Sequence, residues 1–241
     1  MDKLSPPTGP ARLYALYLRL RPVQRGTLMP FSGEMVHGAF LRWLQTAAPE
    51  VGVWLHEGQK RRLFTCSSLH FNRPAHALFK AERENIHLPL DPQETYTVRL
   101  TLLLGELFPL FHEALTHFDV SRLGTDTSPF LQLGKQLFLL EEVTITTDDP
   151  TGWTGFTSLS SLVEQAKQVK FSREATLTLE FASLTAFNRG NSKIGYGSHP
   201  LMLPLPQFVF PNLARRWQDS APPELVGVVQ SERLEQYLQE D

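Results

Sequence analysis

A histidine followed closely by three consecutive cations is the stretch of this chain whose residue types best suit chemistry. His56 precedes Lys60, Arg61 and Arg62, and the strand-like run 62–71 comes next. An imidazole can take the proton of a ribose 2′-hydroxyl or protonate a 5′-leaving oxygen. A guanidinium or ammonium group can stabilise the negative charge of a pentacoordinate phosphorane. The stretch therefore suits metal-free RNA cleavage, in which the substrate supplies the nucleophile.

Each of these residues also has an ordinary structural interpretation. His56 stands at the end of a predicted short helix, and Lys60–Arg62 would make a common solvated turn after it. A further histidine, His37, stands at the edge of the apolar face of the preceding helix, near Phe40. There it would cap the core as a partly exposed residue. Local sequence leaves the structural and the chemical interpretations open.

Other motifs that carry chemistry are missing from the sequence. The eight histidines form no HExxH pattern, and the single cysteine, Cys66, excludes both a thiolate zinc site and an intramolecular disulfide. The sequence contains no Walker loop, no strand leading into GxGxxG and no GxSxG elbow. We therefore expect neither a metal nor a cofactor, and hydrolases, kinases and dehydrogenases of the usual kinds have no support.

Charge and hydropathy limit the partners and the compartment. The net charge of −2 is unlike that of most nucleic-acid binders. The second half nevertheless contains local basic stretches and a loop rich in glycine, 188–200. Candidate RNA-binding residues there are Lys167, Lys170, Arg173, Arg189, Lys193, Tyr196 and His199. No apolar run reaches 18 residues and the N-terminus lacks a signal-peptide pattern, so the cytoplasm is the expected compartment.

Hydrophobic periodicity predicts the elements that would position these residues. The first half reads as strand, helix, strands, helix, strand, which is the βαββαβ order of ferredoxin-like folds with an added β-pair around 62–90. The predicted elements are a strand at 11–22, helices at 31–48 and 49–56, strands at 62–71, 85–90 and 95–104, a helix at 106–118 and a strand at 135–147. We predict an N-terminal domain at 1–147.

A turn-rich segment at 148–155 opens the second predicted domain, 148–241. Its pattern begins like another βαββαβ unit and stops early. The predicted elements are a helix at 158–168, a strand at 174–187 and a helix at 231–240. A further helix is predicted in the segment 205–218, beginning after Pro211. The predicted fold class is α+β, with two ferredoxin-like domains in tandem, the second incomplete or divergent.

Two blocks of sequence resemble a known family. GEMVHGAFLRWLQTAAPEVGVWLHEGQKRRLFTCSSL resembles the N-terminal signature of the endoribonucleases that process CRISPR repeat RNA, the Cas six family of RAMP proteins. FNRGNSKIGYGSHPLMLPLPQFVFPNLARRWQDSAP resembles the C-terminal domain of the same family. The resemblance implies tandem ferredoxin-like domains and metal-independent cleavage of precursor CRISPR RNA within its repeats. It also implies repeat RNA, precursor and mature, as partner, and a Cascade-type effector complex as the assembly.

Carried over by position, the resemblance implies that His56 is the family's catalytic histidine and Arg62 its basic residue before the strand. The tyrosine that some members carry on the first helix falls on Leu41, and we assign the second acid or base role to His37 instead. The family's final strand and Gly-rich loop are either missing from this sequence or replaced by 188–200. A non-cleaving RNA-binding subunit of an effector complex is the alternative function.

Overall fold

The computed structural model describes residues 12–49, 64–116, 130–169, 176, 178–179, 187–188, 200–201 and 204–238. Residues Arg12–Ser158 form one compact unit, and the described residues from Leu159 onward belong to a second. The predicted domain boundary between residues 147 and 148 remains a prediction. Among the described residues, no helix is both long and apolar enough to cross a membrane.

The first unit contains eight strands and three helices among its described residues. In chain order they are β1 (Arg12–Pro22), β2 (Gly26–Leu28), α1 (Gly33–Ala47), β3 (Phe64–Cys66), α2 (Ala75–Arg83), β4 (Leu88–Leu90), β5 (Tyr96–Leu102), α3 (Leu107–Thr116), β6 (Phe130–Leu133), β7 (Gln136–Thr144) and β8 (Gly155–Ser158). The main sheet runs in the order β3-β5-β1-β7-β6, with every pairing antiparallel. The four strands β3-β5-β1-β7, with α1 and α3 between them in the chain, have the predicted ferredoxin-like order.

Alternation along the central strands explains why α1 and α3 cover one face of this sheet. In β5, Tyr96, Val98, Leu100 and Leu102 are buried and the residues between them are partly exposed, as strand geometry requires. The buried residues of α1 that join them include Val36, Phe40 and Leu44, and Phe111 joins from α3. Leu41 is also buried, at 7% exposure, so this position belongs to the core. The predicted α+β class is confirmed.

The prediction that the strands around 62–90 form an added β-pair is wrong, because these strands pair with other partners. β3 joins the main sheet beside β5, whereas β4 pairs with β2 in a separate two-stranded sheet. The described part of the predicted strand 62–71 also ends early, at Cys66. Ser67 N–H still donates to Arg99 O, but Arg99 N–H donates to Ser67 Oγ instead of the backbone oxygen, and Ser67 Oγ donates to Ser68 O. The chain returns to the sheet in a single bridge between His70 and Thr97.

The second unit contains α4 (Leu159–Gln168), β9 (Phe187–Asn188), β10 (Pro200–Leu201), α5 (Pro206–Ser220), α6 (Pro223–Val226) and α7 (Ser231–Tyr237). α5 begins before Pro211, which corrects the prediction of a helix after that residue. Pro206 occupies the first turn, where its missing N–H costs nothing, and Pro211 is buried inside the helix. The C-terminal helix packs back on α5, since Arg215 Nη2 lies 2.8 Å from Glu235 Oε1.

Candidate functional site

His37 lies on α1 with its ring against the first residue of β3. The centroids of the His37 and Phe64 rings are 4.9 Å apart and the ring planes are 19° from parallel. Phe64 is 3% exposed and His37 is half-buried. Because β3 is the edge strand of the main sheet, the imidazole stands where the sheet edge meets α1. The segment that carries His56 leaves the described structure after Pro49 and re-enters it at Phe64.

The start of α1 is fixed against the chain that follows β3. Ser32 is the N-cap residue, but its side chain makes no capping bond. Its hydroxyl oxygen instead accepts a hydrogen bond from the backbone N–H of Leu69 at 3.0 Å, and both residues are buried. A Cβ at Gly33 would lie 3.4 Å from Ser68 Oγ, so the helix approaches this chain closely. This contact sets where His37, one turn further along α1, meets Phe64.

The ring of Phe64 packs against an aromatic cluster of the core. Phe40 lies one turn after His37 on α1, with its ring centroid 4.9 Å from that of Phe64 and 5.8 Å from that of Phe111. Trp43 extends the cluster, since its ring lies 6.0 Å from Phe111. Tilted aromatic pairs at these separations are attractive beyond the area that they bury. The packed core therefore determines the position of His37. This agrees with a core-capping role and is also compatible with a role as a general acid or base.

Most of the predicted site residues lie outside the residues that the structure describes. These are His56, Lys60, Arg61, Arg62, Lys170, Arg173, Arg189, Lys193, Tyr196 and His199. Lys167 is described on α4, where its Nζ lies 2.7 Å from Glu164 Oε1 and its side chain is 66% exposed. β9 and β10 pair Asn188 with Pro200, at the two ends of the predicted loop 188–200. The predicted site residues stay predictions except for the placement of His37 and Lys167.

Sequence reasoning missed a cluster on the sheet face opposite α1 and α3. Arg99 Nε donates a hydrogen bond to the backbone oxygen of Trp153 at 2.8 Å, and the guanidinium carbon lies 5.3 Å from the Trp153 ring centre. Tyr17 is the register partner of Arg99 on β1. Burial raises the pKa of Tyr17, the Arg99 charge opposes that shift and the Asp149 charge adds to it. The alternation of the predicted strand 95–104 could have placed Arg99 on this face, but no local signal indicates Trp153.

The loop that presents Trp153 is organised by one carboxylate. Asp149 accepts hydrogen bonds from the backbone N–H groups of Thr151, Trp153 and Thr154, at 2.9–3.0 Å, and from the Thr151 hydroxyl. The bonds from Thr151 are the main cause that lowers the pKa of Asp149 from 3.8 to about 2. A carboxylate that accepts several N–H bonds is favoured in its ionised form. Asp149 therefore fixes the turn before β8.

Replacing Asp149 with asparagine is expected to destabilise the protein in a pH-dependent way. A carboxyl group whose pKa is lower in the folded state stabilises that state above its unfolded pKa, 3.8. This stabilisation is lost as the pH falls towards the folded pKa of about 2. The difference in urea midpoint between wild type and Asp149→Asn should therefore be present near neutral pH and shrink below about pH 4. Asp148→Asn is the control, and a difference independent of pH would contradict the assignment.

The described residues contain no group of three or more His, Cys, Asp or Glu side chains placed to hold a metal ion. Among the described residues, His37 at the edge between α1 and β3 is the predicted catalytic residue that the structure places, and His56 and Arg62 lie outside them. Acid–base chemistry is what the imidazole of His37 can offer.

Comparison with solved structures gives an informative similarity for this chain. No protein-family model and no curated protein matches the chain. A solved structure of a Cas6 product complex aligns with a TM-score of 0.63 and 25% identity, over 95% of this chain and 73% of that one. The alignment therefore extends across both compact units, and it supports the predicted tandem of ferredoxin-like domains.

Two further solved structures align less closely. A Cas6-related protein from Pyrococcus furiosus gives a TM-score of 0.49 and 10% identity over 86% of this chain and 71% of that one. A RAMP protein that binds different RNA substrates gives a TM-score of 0.38 and 13% identity over 55% of this chain and 49% of that one. Because both TM-scores lie below 0.5, neither similarity contributes to the assignment. The similarity to the Cas6 product complex, which bears out the resemblance of the two sequence motifs, supports assignment of this chain to the Cas6 family of RAMP proteins.

Proposed function

We propose that this protein is a metal-independent endoribonuclease that cleaves precursor CRISPR RNA within its repeats. The observation that carries the proposal is the similarity of 95% of the chain to a Cas6 product complex. The placement of His37 beside the residue that starts β3 adds to it. The repeat RNA is the proposed partner before and after cleavage, and a Cascade-type complex is the proposed assembly.

The proposed mechanism uses the substrate's own 2′-hydroxyl as nucleophile. One imidazole removes the 2′-proton while the 2′-oxygen bonds to the adjacent phosphorus, and a second imidazole protonates the 5′-oxygen as the P–O5′ bond breaks. The products are a 2′,3′-cyclic phosphate and a 5′-hydroxyl. His56 and His37 share the base and acid roles. Arg62, assisted by Lys60, stabilises the negative charge of the phosphorane.

Chain connectivity supports the pairing of Arg62 with His37. Arg62 stands two residues before Phe64, and consecutive Cα atoms are about 3.8 Å apart, so the two Cα atoms are at most ~7.6 Å apart. Phe64 in turn contacts the imidazole of His37. On this basis we propose that Arg62 and His37 act on the same phosphate. Binding of the flanking RNA is proposed for Arg61, Lys167, Lys170, Arg173, Arg189, Lys193, Tyr196 and His199.

Cleavage in EDTA separates this function from the non-cleaving alternative. The protein is incubated with repeat RNA and, in parallel, with the same RNA carrying one 2′-deoxy nucleotide at the scissile position. We expect product from the normal RNA alone, because the 2′-hydroxyl is the nucleophile. Binding of both RNAs without any product would contradict the proposal and would instead favour the RNA-binding subunit. Product from the 2′-deoxy RNA would contradict the mechanism.

A further inference from the structure

α2 presents basic side chains along the face that it turns away from the core. His76, Lys80 and Arg83 are four and three residues apart, which places them on one side of the helix. All three are exposed, whereas Ala81, on the other side, is 5% exposed. We call these three residues the α2 stripe. Arg73, also exposed, precedes the helix by two residues and adds a fourth basic group near its start.

The stability of the helix explains only part of this charge. Lys80 and Arg83 lie in the last turn, where the negative end of the helix favours cations. Arg73 lies just before the other end, where a positive charge is unfavourable and an acid would be expected. The first turn contains no acid, and the N-cap residue Pro74 offers no side-chain cap. The charge of Arg73 at the start of α2 therefore requires an explanation other than helix stability.

The stripe is held on a rigid support. Asn85, in the left-handed conformation at φ 52°, ends the helix. The N–H of Ile86 donates to Ala81 O at 2.7 Å and that of Asn85 to Glu82 O at 3.0 Å, which is a Schellman closure. The ring of Phe79 also lies 5.7 Å from that of Phe31. Cations on a fixed helix lose less conformational freedom when they bind than cations on a mobile segment do.

The charges of the stripe are largely available to a partner. Lys80 makes no ion pair with any residue that the structure describes. Arg83 lies 3.7 Å from Glu84, but its side chain is 79% exposed, and such surface pairs contribute little. The nearby acids are Glu82 and Glu84. Glu84 lies beside Arg83 at the end of the stripe, so Arg73, Lys80 and Arg83 together exceed the two acids by one positive charge.

We infer that the α2 stripe binds the phosphate backbone of the RNA, as a contact separate from the segment that carries His56 and Arg62. The stripe spans eight residues, His76–Arg83, which is about 10 Å along the helix. Nucleic-acid strands carry one charge per ~3.4 Å of axis, so roughly three phosphates can face it. RNA is favoured over an acidic protein because Phe79, 47% exposed, lies on the same side of the helix between His76 and Arg83, and an aromatic ring beside cations can stack on a base. This inference rests on the proposed function for the identity of the ligand.

The test compares two double variants of the full chain. Lys80→Gln/Arg83→Gln removes two charges of the stripe while keeping good helix formers. Arg25→Gln/Lys135→Gln removes two exposed charges from turns elsewhere in the same unit and serves as the matched control. The dissociation constant for repeat RNA is measured between low and high NaCl, and the single-turnover rate is measured at saturating protein. Circular dichroism and the urea midpoint verify folding.

We expect the stripe variant to bind about tenfold more weakly near physiological salt, with a log–log salt slope smaller by about 1.4–1.8. Its saturated cleavage rate should be unchanged, and the control should bind like wild type. Lys80→Arg/Arg83→Lys, which retains both charges, should also bind like wild type. An affinity and slope equal to those of the control would overturn the inference.

The outcomes also separate this inference from the proposed function. Wild-type protein that binds RNA without cutting overturns the proposed function alone, since the binding comparison remains decisive for the stripe. Wild-type protein that binds no repeat RNA overturns both. If the wild-type protein cleaves the RNA and the stripe variant has the same salt slope as the control variant, the inference alone is overturned.

Discussion

Replacing His56 with alanine is expected to lower the single-turnover rate of repeat-RNA cleavage by about 10²- to 10⁴-fold, the usual contribution of a general acid or base. The affinity for RNA should change little, because the proposed role of the imidazole is proton transfer rather than phosphate binding. The rate is measured at saturating protein, so that a change in binding does not enter. His70→Ala is the control. It removes an exposed imidazole from the residue that bridges to Thr97 of β5.

His37 requires a variant that preserves its packing. His37→Ala removes a half-buried ring that contacts Phe64, so a loss of rate could follow from a displaced β3. His37→Phe keeps an aromatic ring in that place and removes only the nitrogens. If His37 is the second acid or base, both variants lose at least tenfold in rate, about 1.4 kcal/mol. A His37→Phe variant with the wild-type rate would make His37 a core-capping residue. Loss below tenfold in both the His56 and His37 variants would refute the assigned pair.

Replacing Phe40 with alanine is expected to have the largest effect on stability. Phe40 is 1% exposed and contacts both Phe64 and Phe111. Truncation of such a buried aromatic ring lowers the free energy of unfolding by about 3–5 kcal/mol. That is a large fraction of the total of roughly 5–15 kcal/mol for a natural protein. Urea unfolding followed by circular dichroism measures the change.

The matched control for Phe40 is an exposed phenylalanine of the same unit. Phe156 on β8 is 53% exposed, and its nearest ring contact, with Tyr14, has a centroid distance of 6.4 Å. Phe156→Ala should therefore cost less than about 1 kcal/mol. Equal losses in the two variants would show that the aromatic cluster beneath Phe64 is not the core that supports the site. Because Phe40 holds Phe64, its truncation should also lower the cleavage rate.

Elements with a strong periodic signal were predictable from the sequence. The alternation at 95–104 corresponds to β5, and the helical spacing of Val36, Phe40 and Leu44 corresponds to α1. Both segments bury one face against the same core, so their sequence pattern records a tertiary constraint. The order of these elements was then sufficient to indicate the ferredoxin-like topology.

Elements without such a signal were missed. α2 has only Ala77, Leu78 and Ala81 on its inner side and lacks a side-chain cap, so its apolar pattern is weak. β6 forms a hairpin with β7 through Gly134, whose φ of 60° suits the first position of a two-residue turn. β8 pairs with the start of β1, more than a hundred residues away. Pairings of this kind depend on the complete fold rather than on local sequence.

The features of the candidate site also separate into those that local sequence indicates and those that depend on the fold. The histidine and the cation run were visible because catalytic residue types stand close together in the chain. The contact between His37 and Phe64 was not, since it depends on how α1 crosses the edge of the sheet. The α2 stripe and the Arg99–Trp153 contact also depend on which faces the fold leaves uncovered. Local sequence indicates the chemistry, and the tertiary structure indicates the surfaces.

The chemical identity of the RNA ends produced in EDTA tests the central claim most directly. Mass spectrometry of the 5′ fragment distinguishes a 2′,3′-cyclic phosphate from a 3′-hydroxyl. Attack by the substrate's 2′-oxygen predicts a cyclic phosphate on this fragment and a 5′-hydroxyl on the other. A 3′-hydroxyl together with a 5′-phosphate would mean that water is the nucleophile, and it would contradict the roles proposed for His56, His37 and Arg62.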